Sequence, residues 1–320
     1  MISSPNRKMM RKAIITFGVG YGFEHIKHFV LSCKKFIPDT DIYMFAGKNI
    51  PQLEADCRHI QGVHFIPFRE NFTGKVIAKV LSKVPSLQQK YAQYLSAKWE
   101  RDPLRRTRIE ALTSPLTQFM VKRFFLIKQL LSQLPHEQVM IADVRDIIFQ
   151  YDPFATLQSD AIVTGIEPVA NSESEMNEKW IRRTYSDAIF EQMADKNVAC
   201  AGVTYGSRRA INQYIEEMLE ETYENLPKII DMLGADQAIH IRLFYYRLRG
   251  LTRHMEANGS GSIATLHFSD LTEFSVSNGR IENLTGQPLA VVHQYDRHPD
   301  LAVELRKGLE AKQPVNQMAS

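Results

Sequence analysis

One short apolar run near the middle of the chain constrains the fold more than any other feature. Residues 139–142 have the length of a buried β-strand, and Asp143, Arg145 and Asp146 follow it at once. In open α/β sheets, ligands bind beside the carboxyl ends of the strands, so two carboxylates at this position indicate a binding site. We therefore expect an α/β fold with this run as its central strand.

The two acids after this run need a neighbouring positive charge. Asp143 and Asp146 are three residues apart and flank Arg145. Carboxylates this close raise each other's pKa values unless a cation lies beside them. Arg145 is one candidate, and a hard divalent metal such as Mg²⁺ or Mn²⁺ is another, because such ions share oxygen ligands with the phosphates of a substrate. These residues alone leave both the ion pair and the metal site open.

The first part of the chain has the pattern of a βαβ unit. Residues 13–17 and 41–46 are apolar runs of strand length, and residues 63–67 form a third. Between the first two runs, residues 24–36 carry apolar side chains at helical spacing. This order implies a parallel sheet with a right-handed crossover.

Three glycines separate the first predicted strand from the first predicted helix. Gly18, Gly20 and Gly22 have the G-x-G-x-G spacing of a backbone cradle for a nucleotide, although a tight turn uses the same residues. An S-adenosylmethionine or dinucleotide site would add an acidic residue after the second strand, to hold ribose hydroxyls. Residues 45–48 read Phe-Ala-Gly-Lys and contain no acid, which counts against a methyltransferase.

Further polar residues fall near the starts of two predicted helices. Arg123 lies in the first turns of a helix predicted over residues 119–134, where it either holds a phosphate or a carboxylate or is exposed. Asp236 and Gln237 begin a helix predicted over residues 236–247, where an acid can also serve simply as a cap.

Two late segments are predicted as strands that carry histidines. Residues 266–269 contain His267, and residues 289–293 end in His293. Residues 198–206 are small, apolar and punctuated by glycine, which is typical of backbone that approaches a ligand closely.

Earlier in the chain, residues 161–164 are predicted to form a strand. A long helix is predicted to begin after its cap residue, Ser207. An acidic run follows along that helix, and we interpret it as a solvated face. The run consists of Glu216, Glu217, Glu220, Glu221 and Glu224.

Composition excludes several classes of protein. The 320 residues are 44% hydrophobic and 23% charged, as in an ordinary globular protein, and the net charge of +3 is too small to indicate a nucleic-acid partner. Three cysteines, odd in number and widely spaced, are typical of reduced thiols in a cytoplasm. No apolar run approaches the roughly 18 residues of a membrane span. We therefore expect a cytoplasmic protein.

The segment 74–110 is strongly basic and longer than a connection within a sheet requires. Its nine basic residues outnumber three acidic ones, with tyrosine and tryptophan residues between them. One interpretation is a helical insertion that covers the site or meets an anionic acceptor or the inner face of a membrane. The interpretation that we favour is a solvated helical face packed by its aromatic residues.

Four motifs, taken in their order along the chain, resemble those of nucleotide-sugar glycosyltransferases of the GT-A type. They are DVRDIIFQYDPF at residues 143–154, CAGVTYG at 200–206, ADQAIH at 235–240 and VHQYDRHP at 292–299. The resemblance spans roughly residues 12–300.

The resemblance implies a single GT-A-like domain over residues 1–320, with a Rossmann-like, mostly parallel sheet flanked by helices. About residues 12–165, which include the helical insertion 74–110, would bind a nucleotide sugar. About residues 166–300 would bind the acceptor, and residues 301–320 would form a C-terminal helix and tail.

Enzymes of this type hold a divalent metal on the donor diphosphate with an Asp-x-Asp motif. Anchored on the Asp-Pro-Phe that follows, the metal-binding acid falls on Asp146 and the usual first acid falls on Val144, so this chain departs from the pattern. Asp143 is therefore expected either to touch the ribose or to join the metal site. The late histidine ligand falls on His293, with His267 in reserve.

The resemblance also assigns the remaining site residues. The Asp-Gln pair that meets the acceptor or the reacting sugar falls on Asp236 and Gln237, which are the expected catalytic residues. The residues expected to bind the nucleotide sugar are Phe17, Gly18, Gly20, Tyr21, Arg123, Asp143, Val144, Arg145 and Gly202.

The chemistry of sugar transfer is coherent with this assignment. Breaking a sugar–phosphate bond develops negative charge on the departing diphosphate, so Mn²⁺ or Mg²⁺ and a nearby arginine stabilise the transition state more than the ground state. Asp236 would act as a base for the acceptor hydroxyl or as an electrostatic partner of a cationic sugar.

The expected reaction moves a sugar from a nucleoside diphosphate sugar to a hydroxyl of a glycan, lipid-linked or small-molecule acceptor. UDP-linked donors are favoured because many enzymes of this type use them. A methyltransferase and a non-catalytic nucleotide-sugar binding protein are the alternatives.

Overall fold

The computed structural model describes residues 10–69, 72–258, 261–277 and 279–310 of the chain, and its centre is a seven-stranded sheet. The strands of these residues, numbered along the chain, are β1 (Lys12–Phe17), β2 (Thr40–Ala46), β3 (Val63–Pro67), β4 (Gln138–Ala142), β5 (Ile147–Phe149), β6 (Ala161–Ala170), β7 (Asn197–Ser207), β8 (Thr252–Ala257), β9 (Ile263–Thr265), β10 (Phe274–Ser277), β11 (Arg280–Asn283) and β12 (Val291–His293).

Helices flank this sheet. They are α1 (Phe23–Phe36), α2 (Ile50–Cys57), α3 (Phe72–Leu81), α4 (Pro85–Arg101), α5 (Arg106–Thr113), α6 (Phe119–Leu131), α7 (Glu175–Thr184), α8 (Asp187–Glu191), α9 (Arg208–Ile229), α10 (Ala235–Arg242) and α11 (Pro299–Glu310). Among the described residues, none of the helices combines the length and the apolar character needed to cross a membrane.

The central sheet has the order β3-β2-β1-β4-β7-β6-β8. β1 is parallel to both β2 and β4, and β3 is parallel to β2, so the first four strands form a wholly parallel half. β7 runs antiparallel to β4 and to β6, while β8 is parallel to β6. The predicted α/β fold with a mostly parallel, helix-flanked sheet is confirmed, and β7 is the strand that makes the sheet mixed.

Each face of the sheet has its own apolar core. Successive side chains of a strand point to opposite faces, so a strand covered on both sides must be apolar throughout. Ile14 and Met140 belong to the cluster that contains Phe29 of α1, whereas Ile15 belongs to the cluster that contains Phe124 of α6. This double burial explains why the central strands are continuous apolar runs in the sequence.

A smaller sheet joins the chain just after β4 to a segment far downstream. Its order is β5-β12-β9, with β12 antiparallel to β5 and parallel to β9. Ile148 and Val292 from this sheet form a third apolar cluster with Leu305 of α11. The pairing of β5 with β12 is the contact that brings the residues after the central strand to the late histidine.

The basic insertion is helical, as predicted, and aromatic side chains attach it to the main body. It consists of α3, α4 and α5, and α4 packs on α9. The ring of Trp99 in α4 stacks on Tyr223 of α9 with 4.5 Å between centroids. Trp99 Nε1 donates a hydrogen bond to Glu110 of α5 at 3.2 Å. The insertion is therefore held to the core by buried contacts.

The strand predicted over residues 266–269 is wrong. The strand in this region is β9, and the Leu266 N–H donates to His293 O at 3.1 Å just beyond its end. The chain then turns back, because the Ser269 N–H donates to Leu266 O and its hydroxyl donates to Thr265 O. His267 consequently lies on a turn beyond the strand.

The interpretation of the acidic run as a solvated face is wrong for Glu221, whose side chain is fully buried. Its carboxylate lies 3.5 Å from Arg242 and 3.3 Å from Arg247. Burial raises the pKa of Glu221, with Tyr185 and the two arginines acting against that effect. Helical periodicity could not show this burial because the basic partners come from a later element.

Two predicted boundaries also shift. The helix predicted to reach residue 134 ends at Leu131, after which the Gln133 N–H donates to Leu130 O in a tighter turn. The predicted C-terminal helix is α11, and the tail 311–320 lies outside the described residues.

We expect the Ser207 cap to stabilise the junction between β7 and α9. The Ser207 side-chain oxygen accepts a hydrogen bond from the Ala210 N–H at 3.2 Å. Ser207→Ala leaves that N–H without its partner, so the free energy of unfolding should fall by about 1 kcal/mol, as measured by urea denaturation. Ser207→Asp keeps an acceptor and is the matched control; equal losses in both variants would contradict the cap.

Candidate functional site

The first residue after β4, Asp143, is still hydrogen-bonded to the central sheet. The Asp143 N–H donates to Gly202 O at 2.9 Å, which extends the pairing of β4 with β7 by one residue. β7 begins at Asn197 and therefore projects beyond the end of β4. The site is formed at this step, with β7 as one wall.

Three side chains with oxygen or nitrogen ligand atoms converge at this edge. Asp143, Asp146 and His293 each offer one such atom, and these atoms all lie within 4.8 Å of one another. Asp146 Oδ1 is 3.9 Å from His293 Nε2. The predicted proximity of the two acids and the late histidine is thus present in the structure.

The backbone of the smaller sheet sets this proximity. His293 lies opposite Ile147 in the antiparallel pair of β12 and β5, and the Gln294 N–H donates to Asp146 O at 2.8 Å. Gln294 adopts a left-handed backbone with φ of 60°, which turns the chain away immediately after the histidine. Residues that are far apart in sequence therefore meet through a fixed strand register.

Gly202 is required where the His293 ring packs against β7. A Cβ atom built on Gly202 would lie 2.2 Å from His293 Cε1. Cys200 Sγ lies 3.7 Å from His293 Nδ1, so that nitrogen faces the strand while Nε2 faces Asp146. Neighbours that engage the second nitrogen of a histidine fix the orientation of its ring.

Glu167 of β6 belongs to the same cluster and was not identified from the sequence. Its side chain is buried and shares a hydrogen bond with the thiol of Cys200. Burial raises the pKa of Glu167 and raises the pKa of Cys200 well above its ordinary value. The predicted strand ended at residue 164, whereas β6 continues to Ala170, and an acid inside a longer apolar strand was the available signal.

Arg123 lies at the centre of the charged groups. Its guanidinium is almost fully buried and donates to Asp143 Oδ1 at 3.1 Å and to Asp236 Oδ2 at 3.0 Å. The exposed alternative for this residue is therefore wrong. Burial raises the pKa values of Asp143 and Asp236, while Arg123 acts in the opposite direction on both. One cation is shared by two carboxylates from different elements.

Arg145 does not neutralise the two acids that flank it, so that interpretation is wrong. Its side chain is about half exposed and forms an ion pair with Asp296 at 3.2 Å. Val144 is buried in the apolar core, so its side chain cannot act as a ligand. In the short segment after β4, Val144 therefore points into the core. Asp143 binds Arg123, and Arg145 forms its ion pair at the surface.

The predicted catalytic pair has two different environments. Asp236 is buried and bound to Arg123 at the start of α10. The side chain of Gln237 is bound at both ends to β7: its Nε2 donates to Ala199 O at 2.6 Å, and its Oε1 accepts from the Ala201 N–H at 3.0 Å. Gln237 therefore attaches α10 to β7 and so positions Asp236.

His240, in the same motif, is a core residue. Burial lowers its pKa to about 3, with Arg123 adding to the effect, so the imidazole is neutral. Its Nδ1 is 2.8 Å from the Tyr214 hydroxyl and its Nε2 is 3.1 Å from Thr164 Oγ1. Both ring nitrogens are satisfied inside the protein.

The glycine loop after β1 forms a tight turn. The Tyr21 N–H donates to Gly18 O at 3.1 Å, and Gly20 has the left-handed φ of 85° that such a turn requires. The Gly18 N–H already donates to Phe45 O at 2.8 Å. Phe17, before the turn, stacks on Phe45 with 4.6 Å between centroids. A nucleotide contact at these residues stays a prediction.

A cavity of about 660 Å³ opens beside the cluster. Arg123, Asp143, Asp236 and His293 line one side of it, together with Glu167. The remaining described residues named as candidates that also line it are Gly202, Gln237 and His267. Met176, Trp180, Leu233 and Phe268 also line it and add apolar and aromatic surface. The structure thus joins Arg123, Asp143, Asp236 and His293 in one cavity, whereas Phe17, the glycine turn, Val144, Arg145 and Asp146 lie outside its lining.

Comparisons with known proteins do not indicate a function for this chain. A scan against protein-family models and a search of curated proteins both give no match for this sequence. The positions of the charged residues around the cavity are therefore the main guide to function.

We expect Gly202→Ala to destabilise the protein, because the new methyl group would overlap the His293 ring. The free energy of unfolding should fall by about 1–3 kcal/mol, measured by urea denaturation. Gly22→Ala is the matched control: Gly22 has φ of −86°, and a Cβ there meets nothing within 4 Å. A loss for Gly202→Ala no larger than that of the control would contradict the close packing.

Proposed function

We propose that this protein is a divalent-metal-dependent glycosyltransferase of the GT-A type. In this proposal it transfers a sugar from a nucleoside diphosphate sugar, with UDP-linked donors favoured, to a hydroxyl acceptor. One observation carries the proposal: Asp143, Asp146 and His293 converge beside buried Arg123 at the carboxyl end of a central strand. Ligands of open α/β sheets bind at such an edge.

The three side chains suit a divalent cation. Two carboxylates and an imidazole provide oxygen and nitrogen ligands, a set that favours Mn²⁺ over Mg²⁺, which prefers oxygen alone. The 3.9 Å between Asp146 Oδ1 and His293 Nε2 fits two ligands of a single ion, since each metal–ligand bond is about 2.0–2.2 Å long. The ion would supply positive charge for the diphosphate of the donor.

Arg123 supports the proposal by organising the acids around the cavity. Because it binds both Asp143 and Asp236, it sets the distance between the metal cluster and the predicted base. A planar guanidinium that binds a separate carboxylate through each of two nitrogens has little freedom to reorient. The donor diphosphate and the acceptor hydroxyl would then meet fixed groups.

Asp236 is the proposed proton acceptor. It lines the cavity, and burial raises its pKa above its ordinary value, which strengthens it as a base while Arg123 favours its charged form. In the alternative role it stabilises positive charge that develops on the sugar. In both roles the carboxylate acts on groups bound in the cavity.

The aromatic part of the cavity lining suits the apolar faces of a sugar or of an acceptor. Trp180 and Phe268 line it, and the Trp180 ring packs so closely on Gly234 that a Cβ there would lie 2.2 Å from the ring. Aromatic rings present flat apolar surfaces next to polar groups. This wall supports a carbohydrate, lipid-linked or small-molecule acceptor.

One observation favours a second candidate, a nucleotide-sugar binding protein without catalysis. Val144 occupies the position of the usual first acid of the motif and is buried in the core. The carboxylate at that position of the motif is therefore missing, and the second acid of the cluster, Asp143, comes from the preceding position instead. Binding without turnover would support this second candidate.

We expect metal-dependent donor binding to require Asp146. A panel of sugar nucleotides should be tested by titration calorimetry with Mn²⁺ and with EDTA, and hydrolysis or transfer should be assayed in parallel. Asp146→Asn should weaken Mn²⁺-dependent binding by roughly tenfold or more. Asp195→Asn, a change at an exposed acid that pairs with its neighbour Lys196, is the control. Equal binding in Mn²⁺ and EDTA would contradict the proposal.

We expect Asp236→Asn to separate binding from chemistry. Asparagine keeps the size of the side chain but accepts a proton poorly, so kcat should fall by about 10²–10⁴-fold while donor affinity changes little. Steady-state kinetics and calorimetry on the same preparation measure the two effects. Full turnover in Asp236→Asn would remove this residue from the mechanism.

A further inference from the structure

The basic insertion exposes a row of aliphatic side chains, which we call the apolar stripe. It consists of Val76, Ile77 and Val80 on α3, Val84 in the turn that follows, and Leu87 at the start of α4. Their exposed fractions lie between 41% for Ile77 and 58% for Val80. Val76 and Val80 are four residues apart on α3 and therefore share one face of that helix, while Val84 and Leu87 extend the exposed aliphatic surface along the chain into α4.

The stripe is distinct from the side of α3 that packs on the protein. Leu81 is buried in the main apolar cluster and Ala78 packs against that cluster. α3 lies beside the short helical turn Ser114–Leu116, where these inward contacts are made. Leu81 and Ala78 thus face the core, whereas Val76, Ile77 and Val80 each remain at least 41% exposed.

The charges around the stripe are all of one sign. Residues 71–99 contain five lysines and no aspartate, glutamate or arginine, a net charge of +5. The whole chain has a net charge of +3, so the remainder of the protein has 3 − 5 = −2. Lys79, Lys83 and Lys90 are exposed close to the stripe in sequence. Positive charge is thus concentrated where aliphatic side chains are exposed.

We infer that the apolar stripe docks the protein on the surface of an anionic lipid bilayer. The aliphatic side chains would enter the interface between head groups and acyl chains, and the lysines would meet the lipid phosphates. The two contributions act together, since basic residues near an anionic surface add to the burial of apolar area.

The mixture of residues favours a bilayer over a protein partner. Protein interfaces are depleted of lysine and enriched in aromatic residues and arginine. The stripe has aliphatic side chains and lysines, and its segment contains no arginine. A bilayer tolerates this mixture because long lysine side chains extend to the head groups while their neighbours stay in apolar surroundings.

The inference is independent of the proposed function, because binding to vesicles is measured without donor or acceptor. The full chain is sedimented with vesicles of phosphatidylcholine alone and with vesicles of two parts phosphatidylcholine to one part phosphatidylglycerol. We expect several-fold more protein to sediment with the mixed vesicles, and this preference should decrease as salt screens the charges.

The variant Val80→Glu with Val84→Glu should lose most of this binding, because it puts negative charge into the stripe. Val303→Glu on α11 is the matched control, since Val303 is 50% exposed, compared with 58% and 46% for the two stripe positions. Circular dichroism of each variant checks that the fold is retained. Lys79→Gln with Lys83→Gln should reduce the preference for mixed vesicles while leaving the fold intact.

Three results would overturn the inference. The first is equal sedimentation with neutral and anionic vesicles, and the second is binding that survives the glutamate substitutions. The third is a dimer, seen by light scattering without lipid, that the same substitutions dissociate, because the stripe would then be a contact between two copies of this chain.

Discussion

The guanidinium of Arg123 is the group on which the arrangement of the site depends. A buried cation is stable only with opposite charges and hydrogen bonds around it, and Asp143 and Asp236 provide both. Burial raises the pKa values of both carboxylates, and the positive charge of Arg123 opposes that effect on each of them. These two ion pairs link α6, which carries Arg123, to the end of β4 and to the start of α10.

The neighbouring pair of Asp146 and His293 is held by backbone geometry and not by a shared buried charge. Asp146 and His293 are held by the backbone register of β5 and β12, and Gly202 leaves the space that the imidazole occupies. Behind the ring, buried Cys200 links His293 to Glu167 through polar contacts. Because burial raises the pKa of the thiol, Cys200 is a neutral hydrogen-bonding group there and a poor nucleophile. The strand register therefore fixes the position of His293, and the buried polar contacts through Cys200 and Glu167 fix the orientation of its ring.

The basic insertion has a buried aromatic part and an exposed aliphatic part. Trp99 and its partners bury the aromatic groups against α9, so the helices are attached to the sheet. The aliphatic residues of α3 then remain at the surface beside lysines, an arrangement that burial of the core does not require. Aromatic packing and an exposed basic face are thus both present in the same segment.

Much of the fold was predictable from local patterns, and part of the site was as well. The central strand, the βαβ start, the helical insertion and the converging Asp143, Asp146 and His293 followed from apolar periodicity and from the ordered motifs. Local patterns predicted most of the strands and helices and several of the polar residues at their ends, because neighbouring residues control both. The pairing of Arg123 with an acid 113 positions away, the pairing of Arg145 with Asp296 and the burial of Glu221 depend instead on how distant elements pack together. Charge pairing and burial act through space between distant elements, and no local pattern records them.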